Sequence, residues 1–299
     1  MINIKANFIK SILLLAIISL VGCTAPKEPP LKIIVNSWIG YSPLFYLKEK
    51  GWLDEHNIEI TTVISLGESL NIYETAELDA FTGTQYEYNL AQQKDASMMP
   101  VIMFDRSNGG DVIMGNISLE SLLKTDELID VYLEINSVNY LVFKDFVKQH
   151  KLSKQQFNFI NNDQIKTLAI LKKATQQKPS LVASYTPYSQ QLQAIGLQEL
   201  ASTKQGLDLL VVDALFTNKE TFLKHQPQFT TLKRLVDQAI TDLKADPREY
   251  YNKVSPYLEN TSYEEFLSSL NGIEWLNRPL EPELVERLNQ YQFPVRNLL

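Results

Sequence analysis

The chain has 299 residues, 28 Lys and Arg against 35 Asp and Glu, and a formal charge of −7 at neutral pH. An acidic chain without a basic run excludes a nucleic-acid binder. Its single cysteine, Cys23, leaves the rest without a disulfide, a cysteine metal site or a thiol nucleophile.

The first elements belong to targeting rather than to the fold. Lys5 and Lys10 precede an apolar run, SILLLAIISLV, that is short for a membrane span. It ends in Leu20-Val21-Gly22-Cys23, which resembles a bacterial lipobox. That resemblance implies a signal peptide over 1–22, cleavage before Cys23 and lipidation there, palmitate included. Residues 23–30 then form the lipidated cysteine and a Pro-rich tether. Cleavage removes two lysines and no acid, leaving 26 cationic against 35 anionic residues, a charge of −9. No later apolar run is long enough to cross a bilayer.

From Leu31 on, short apolar runs alternate with helical patterns, the rhythm of an α/β protein with parallel sheets. LKIIVN reads as a strand. SPLFYLKEKGWLDEHN reads as a helix with Ser42 as N-cap, Pro43 at its first helical position and Gly51 as the stop. Strands follow at IEITTVIS, DAFTGT, MMPVIMFD and DVIMGN, with helices at ESLNIYETAEL and QYEYNLAQQK. The middle repeats the alternation: strands LIDVYLEI, FNFINN, SLVASY and LQELAS, helices SVNYLVFKDFVKQH, DQIKTLAILKKATQQ and PYSQQLQAIG. LLVVDALFTN is the last apolar run. A long helix interrupted at Pro227 and short Pro-broken helices complete the chain. Two βαβ systems emerge, with junctions near Gly109–Asn116 and Thr203–Leu209. Lobe 1 covers 31–110 and 206–299, and lobe 2 covers 111–205.

Ligands in open α/β sheets sit outside the carboxyl ends of strands. Those ends carry the candidates. Ser37, Trp38 and Tyr41 follow the first strand, where an aromatic wall supplies stacking at low entropic cost. Thr82 and Thr84 flank Gly83, which permits close backbone approach. Asn136, Ser137 and Asn139 open a helix whose free N–H groups suit an anion, and Ser137 is also an ordinary N-cap. Asp105, at the first junction, either pairs with Arg106 in a solvated turn or points inward to hold an ammonium group. Asp213 occupies the matching return segment. Tyr185 and Tyr188 bracket Pro187. His56, His150 and His225 lie at helix ends without metal-ligand spacing and read as surface residues. Neither a G-x-S-x-G elbow nor a phosphate-binding loop occurs. No metal, cofactor or catalytic residue is therefore expected.

Five segments, in order, resemble the periplasmic solute-binding proteins of the nitrate, sulfonate, taurine and thiamine-precursor ABC importers. They are W-x-G-Y-x-P with K-x-K-G-W-L, FDRSNGGDVIMG, VYLEINSVNYLVFKDFVKQHKLS, ASYTPYSQQL and VDALFTNKETFLKHQPQ. The resemblance spans nearly all of the mature chain. It implies the type II periplasmic-binding fold: α/β, two lobes with mixed, mostly parallel sheets, a hinge, and a small molecule in the cleft. It implies a monomer, anchored by lipid in the cell envelope, that passes its ligand to an ABC permease. Two departures stand out. Tyr185-Thr186 replaces the family's Trp-Glu, and Asn136 replaces a glycine before the helix. Two other functions stay open. A membrane sensor protein could read the same closed state. A thiamine-pyrimidine synthase shares the fold, but it depends on a His and a Cys-rich segment, whereas this chain has no His at a strand end and no Cys beyond Cys23. Aromatics at strand ends favour an organic ligand with a flat or apolar part.

Overall fold

The computed structural model describes residues 29–173, 178–296 and 298–299. The leader, Cys23 and most of the tether lie outside them. Residues Leu31–Leu299 form one compact unit, and no helix among the described residues is long and apolar enough to cross a membrane.

The elements run β1 (Leu31–Val35), α1 (Ser42–Glu49), α2 (Trp52–Glu55), β2 (Ile58–Thr62), α3 (Leu66–Thr75), β3 (Ala80–Thr84), α4 (Gln85–Lys94) and β4 (Met98–Ser107). They continue as β5 (Asp111–Gly115), α5 (Leu119–Lys124), β6 (Ile129–Leu133), α6 (Val138–Gln149), β7 (Phe157–Asn161), α7 (Gln164–Lys173), β8 (Ser180–Tyr185), α8 (Tyr188–Ala194) and β9 (Gln198–Ser202). The chain returns through β10 (Val212–Asn218), α9 (Lys219–Lys224), α10 (Gln226–Ala245), α11 (Pro247–Val254), α12 (Tyr263–Leu270), β11 (Ile273–Trp275) and α13 (Pro282–Gln290). Helix α5 and strand β11 were not anticipated. Each is short, so its pattern carries little periodic signal.

Two sheets result. One is ordered β11-β4-β10-β3-β1-β2 and the other β7-β6-β8-β5-β9. Parallel pairs join β1 to β2 and β3, and β6 to β7 and β8. Antiparallel pairs join β10 to β3 and β4, β11 to β4, and β5 to β8 and β9. The sheets are thus evenly mixed rather than mostly parallel. The cause lies in the strands flanking the crossings. Strands β4 and β5 enter and leave one crossing, β9 and β10 the other, and each must run against its neighbours to return.

The two crossings are tied together. Ser107 Oγ lies 2.8 Å from Thr203 Oγ1, which also accepts the Gly109 N–H at 2.8 Å. Gly272 braces the same spot, its carbonyl accepting the Asn108 N–H at 2.8 Å. A Cβ on Gly110 would stand 2.8 Å from that carbonyl and 2.6 Å from the Trp38 ring, so only glycine fits.

Burial follows the apolar stripes. Leu44, Phe45 and Leu47 of α1 pack with Phe229, Leu232, Val236 and Ile240 of α10 in one core against the first sheet. Its other face carries Phe81, Phe216, Tyr88 and Phe293, with ring centroids 5.3–5.5 Å apart in successive pairs. Each such buried side chain contributes roughly 1.5–3 kcal/mol. Helix α1 corrects one expectation. A 3-10 turn, Ile39–Tyr41, runs straight into it, so Tyr41 is the N-cap and Ser42 is already helical. Ser42 Oγ instead meets Tyr250 Oη at 3.3 Å. Gly51 ends α1 as expected, at φ +74°. His225 is a second correction. It is buried, with Nδ1 2.6 Å from Gln228 Oε1 and Nε2 3.5 Å from Asp79 Oδ1.

Candidate functional site

Residues near the strand ends connect the two sheets. Trp38 follows β1 and is buried. Its indole N–H donates to Asp105 Oδ1 at 3.1 Å, and its ring meets Tyr185 of β8 edge-on at 5.9 Å between centroids. The W-x-G-Y spacing is explained by Gly40. A Cβ there would fall 1.8 Å from Asp105 Oδ2 and 2.5 Å from the Trp38 Nε1. Tyr41 reaches past them, donating at 2.6 Å to Asp213 Oδ1, with Gly83 O at 3.0 Å. Ser37 Oγ donates to Ile64 O at 2.9 Å and lies 3.4 Å from Tyr188 Oη across the cleft. These aromatics are buried and also join the two sheets.

Asp105 and Asp213 are directly opposed across the β4–β10 pair. Asp111 opens β5 opposite Tyr185. All three are buried. Asp105 does not pair with Arg106. Alternation along β4 sends Arg106 to the other face, where its guanidinium meets Glu274 of β11 at 2.6 Å. Burial pushes the Asp105 carboxyl well above the ordinary range, despite the Trp38 hydrogen bond. Burial, then the neighbouring Asp105, does the same to Asp213. Burial pushes Asp111 up to about 7. Tyr41 and Tyr185 are also pushed up, first by burial and then by the nearby acids Asp213 and Glu134.

Thr82 and Thr84 are structural in this arrangement. Thr82 Oγ1 accepts the Asn36 N–H at 3.3 Å. Thr84 caps α4 in a capping box with Glu87, which accepts from the Thr84 N–H at 2.8 Å and from its hydroxyl at 2.5 Å. Glu87 was not among the sequence candidates, although T-x-x-E in TQYE is a capping-box signal. Its other oxygen accepts the Val138 N–H at 3.2 Å, across the cleft. The anion-receptive start of α6 therefore already receives a carboxylate from the opposite sheet.

Ser137 is the N-cap of α6, accepting the Asn139 N–H at 3.2 Å. Asn139 is buried and takes its bond from Gln164 Nε2 at 3.3 Å, beneath the second sheet. Asn136 is exposed. It lines a polar cavity of about 230 Å³ at the cleft mouth, with Ser65, Gly67, Glu134, Asn162 and Lys166 among its neighbours. Glu134 is the second residue the sequence reading passed over. It sits at the end of β6, accepts from the Ser65 hydroxyl, and lies 3.5 Å from Tyr185 Oη. Burial pushes it up to about 7. Among the described residues no group of three or more His, Cys, Asp or Glu is arranged to hold a metal ion.

The same architecture recurs among solved structures. An alkanesulfonate-binding protein from Xanthomonas axonopodis pv. citri, bound to MOPS, superposes with a TM-score of 0.69 at 13% identity, over 92% of this chain and 99% of that one. The ligand-binding component of an ABC-type import system from Staphylococcus aureus, with zinc bound, gives 0.66 at 15%, over 88% and 91%. The aliphatic sulphonate-binding protein from Escherichia coli gives 0.68 at 13%, over 89% and 86%. The fold is that of the periplasmic binding proteins. No family model and no curated protein matches the chain.

Proposed function

We propose that this chain is a lipid-anchored solute receptor of the cell envelope. It captures a small polar organic molecule between its two sheets and presents the closed form to an ABC importer. The lobes divide at the crossings, 31–110 with 206–299 against 111–205, and the receptor works as a monomer without bond chemistry. One observation carries the reading. Contacts across the cleft come from strand ends and first helical turns: Trp38 with Tyr185, Ser37 with Tyr188, Glu87 with Val138, and Glu134 with Ser65. Such contacts are made in a closed state and lost on opening. A ligand that touches both sides shifts that equilibrium by its differential affinity. The likeness to ligand-binding components of importers supports it.

Binding raises stability by mass action, so a thermal-shift panel of small polar solutes tests the reading. A bound solute is expected to lose affinity in Trp38→Ala and Ser137→Ala. Unchanged affinity in both variants contradicts the cleft assignment. Cys23→Ser is expected to release the protein from membranes. Pull-down of the wild-type chain should recover permease subunits, and recovery of a signalling protein instead would assign it to sensing.

A further inference from the structure

We infer that the solute is an organic cation, carrying an ammonium or amidinium group, held at the hinge end of the cleft by Asp105, Asp111 and Asp213. The inference rests on the solute-receptor reading and names the ligand class of that site. Asp105 and Asp213 come from the first sheet and Asp111 from the second, so a cation between them touches both sides of the hinge. Their neighbours satisfy only part of them. Trp38 donates to Asp105, and Tyr41 to one oxygen of Asp213. The second oxygens of Asp111 and Asp213 are buried and accept no hydrogen bond. Among the described residues no Lys, Arg or His comes within 4 Å of any of the three. The ion pairs lie elsewhere, Arg106 with Glu274 included.

Buried carboxylates without a counter-charge are costly. Closing the cleft brings Asp111 against Asp105 and Asp213, and Glu87 is felt by Asp111 and Asp213 as well. Ionised, these groups repel one another across the hinge. A cation between them turns that repulsion into attraction and so binds the closed state in preference to the open one. Trp38 and Tyr41 stand directly beside the carboxylates, and a desolvated cation is drawn to aromatic rings. An anion meets the opposite conditions. The helix start that could receive it holds Glu87.

Proton linkage gives the test its sign. The groups facing the three aspartates are Glu87, Tyr41 and Tyr185, with Glu134 beyond Tyr185. Burial pushes all three carboxyls up, Asp111 to about 7, so a cation held by their ionised forms competes with protons and its affinity rises with pH. The full-length detergent-solubilised protein is screened by thermal shift at pH 6 and pH 8. The probes are benzylamine, tyramine and putrescine, against phenylmethanesulfonate, ethanesulfonate and nitrate, with benzyl alcohol as the neutral control. Cationic probes alone should raise the melting temperature, and more so at pH 8. Asp213→Asn should weaken the best probe by about thirtyfold or more, as expected when one member of a desolvated charge pair is lost. Asp111→Asn, from the other sheet, gives the same reading if the first variant fails to fold. Shifts by anions or by the neutral probe, without shifts by cations, overturn the cation and leave the receptor standing. No shift with any probe overturns the receptor reading and this inference with it.

Discussion

The two ends of the cleft are built differently. At the hinge end Trp38, Tyr41 and Tyr185 enclose three buried aspartates, and the glycines Gly40 and Gly110 leave room for nothing larger. At the mouth Glu134, Asn136, Asn162 and Lys166 surround a cavity of about 230 Å³. Both ends carry an acid raised by burial, Asp111 and Glu134. Glu134 has a hydroxyl donor from Ser65, whereas Asp111 leaves one buried oxygen without any. On the proposed reading, the hinge end sets the charge of what can be enclosed and the mouth sets how the lobes meet around it.

Substitutions should separate the two ends by size. Trp38→Ala removes the ring that joins Asp105 to Tyr185, and should lower unfolding stability by about 3–5 kcal/mol in a denaturant titration. Gly40→Ala places a methyl against Asp105 and the indole nitrogen, with an expected cost of about 1–3 kcal/mol. Asn136→Ala at the mouth should change stability by less than about 0.5 kcal/mol. If the mouth variant costs as much as either hinge variant, the contrast is wrong.

The pH response sharpens it further. Asp111 and Glu134 stand at about 7 in the closed fold, above their ordinary values. A raised carboxyl lends its full stability below the ordinary value and loses it as pH rises through the raised one. The melting temperature of the ligand-free chain should therefore fall between about pH 4 and pH 8. Asp111→Asn and Glu134→Gln should each flatten part of that slope. A slope unchanged in both would mean that neither acid titrates in the closed form.

Much of this was legible in the residues. The αβ alternation marked the two sheet systems, strand ends pointed to Trp38, Tyr41, Asp105 and Tyr185, and the matching return segment pointed to Asp213. The inward setting of Asp105 stayed open in the sequence, because one residue of register decides which face a strand residue takes. The β4–β10 register turned it inward and sent Arg106 away. Glu87 and Glu134 escaped notice because each lies next to a stronger local signal, a helix cap and an apolar strand. Their roles depend on Val138 and Ser65, which come from the opposite sheet. Thr82 and Thr84 show the converse. Their spacing around Gly83 suggested ligand contact, and both are occupied in holding the backbone.

The charge of the enclosed solute is measured directly by proton release on binding. Calorimetric titration of the full-length chain with its best cationic probe, near neutral pH in two buffers of different ionisation heat, reads the protons exchanged. Net release is expected, abolished when Asp111 and Asp213 are both changed to Asn. Net uptake, or an enthalpy independent of buffer, would rule out a cation held by these aspartates.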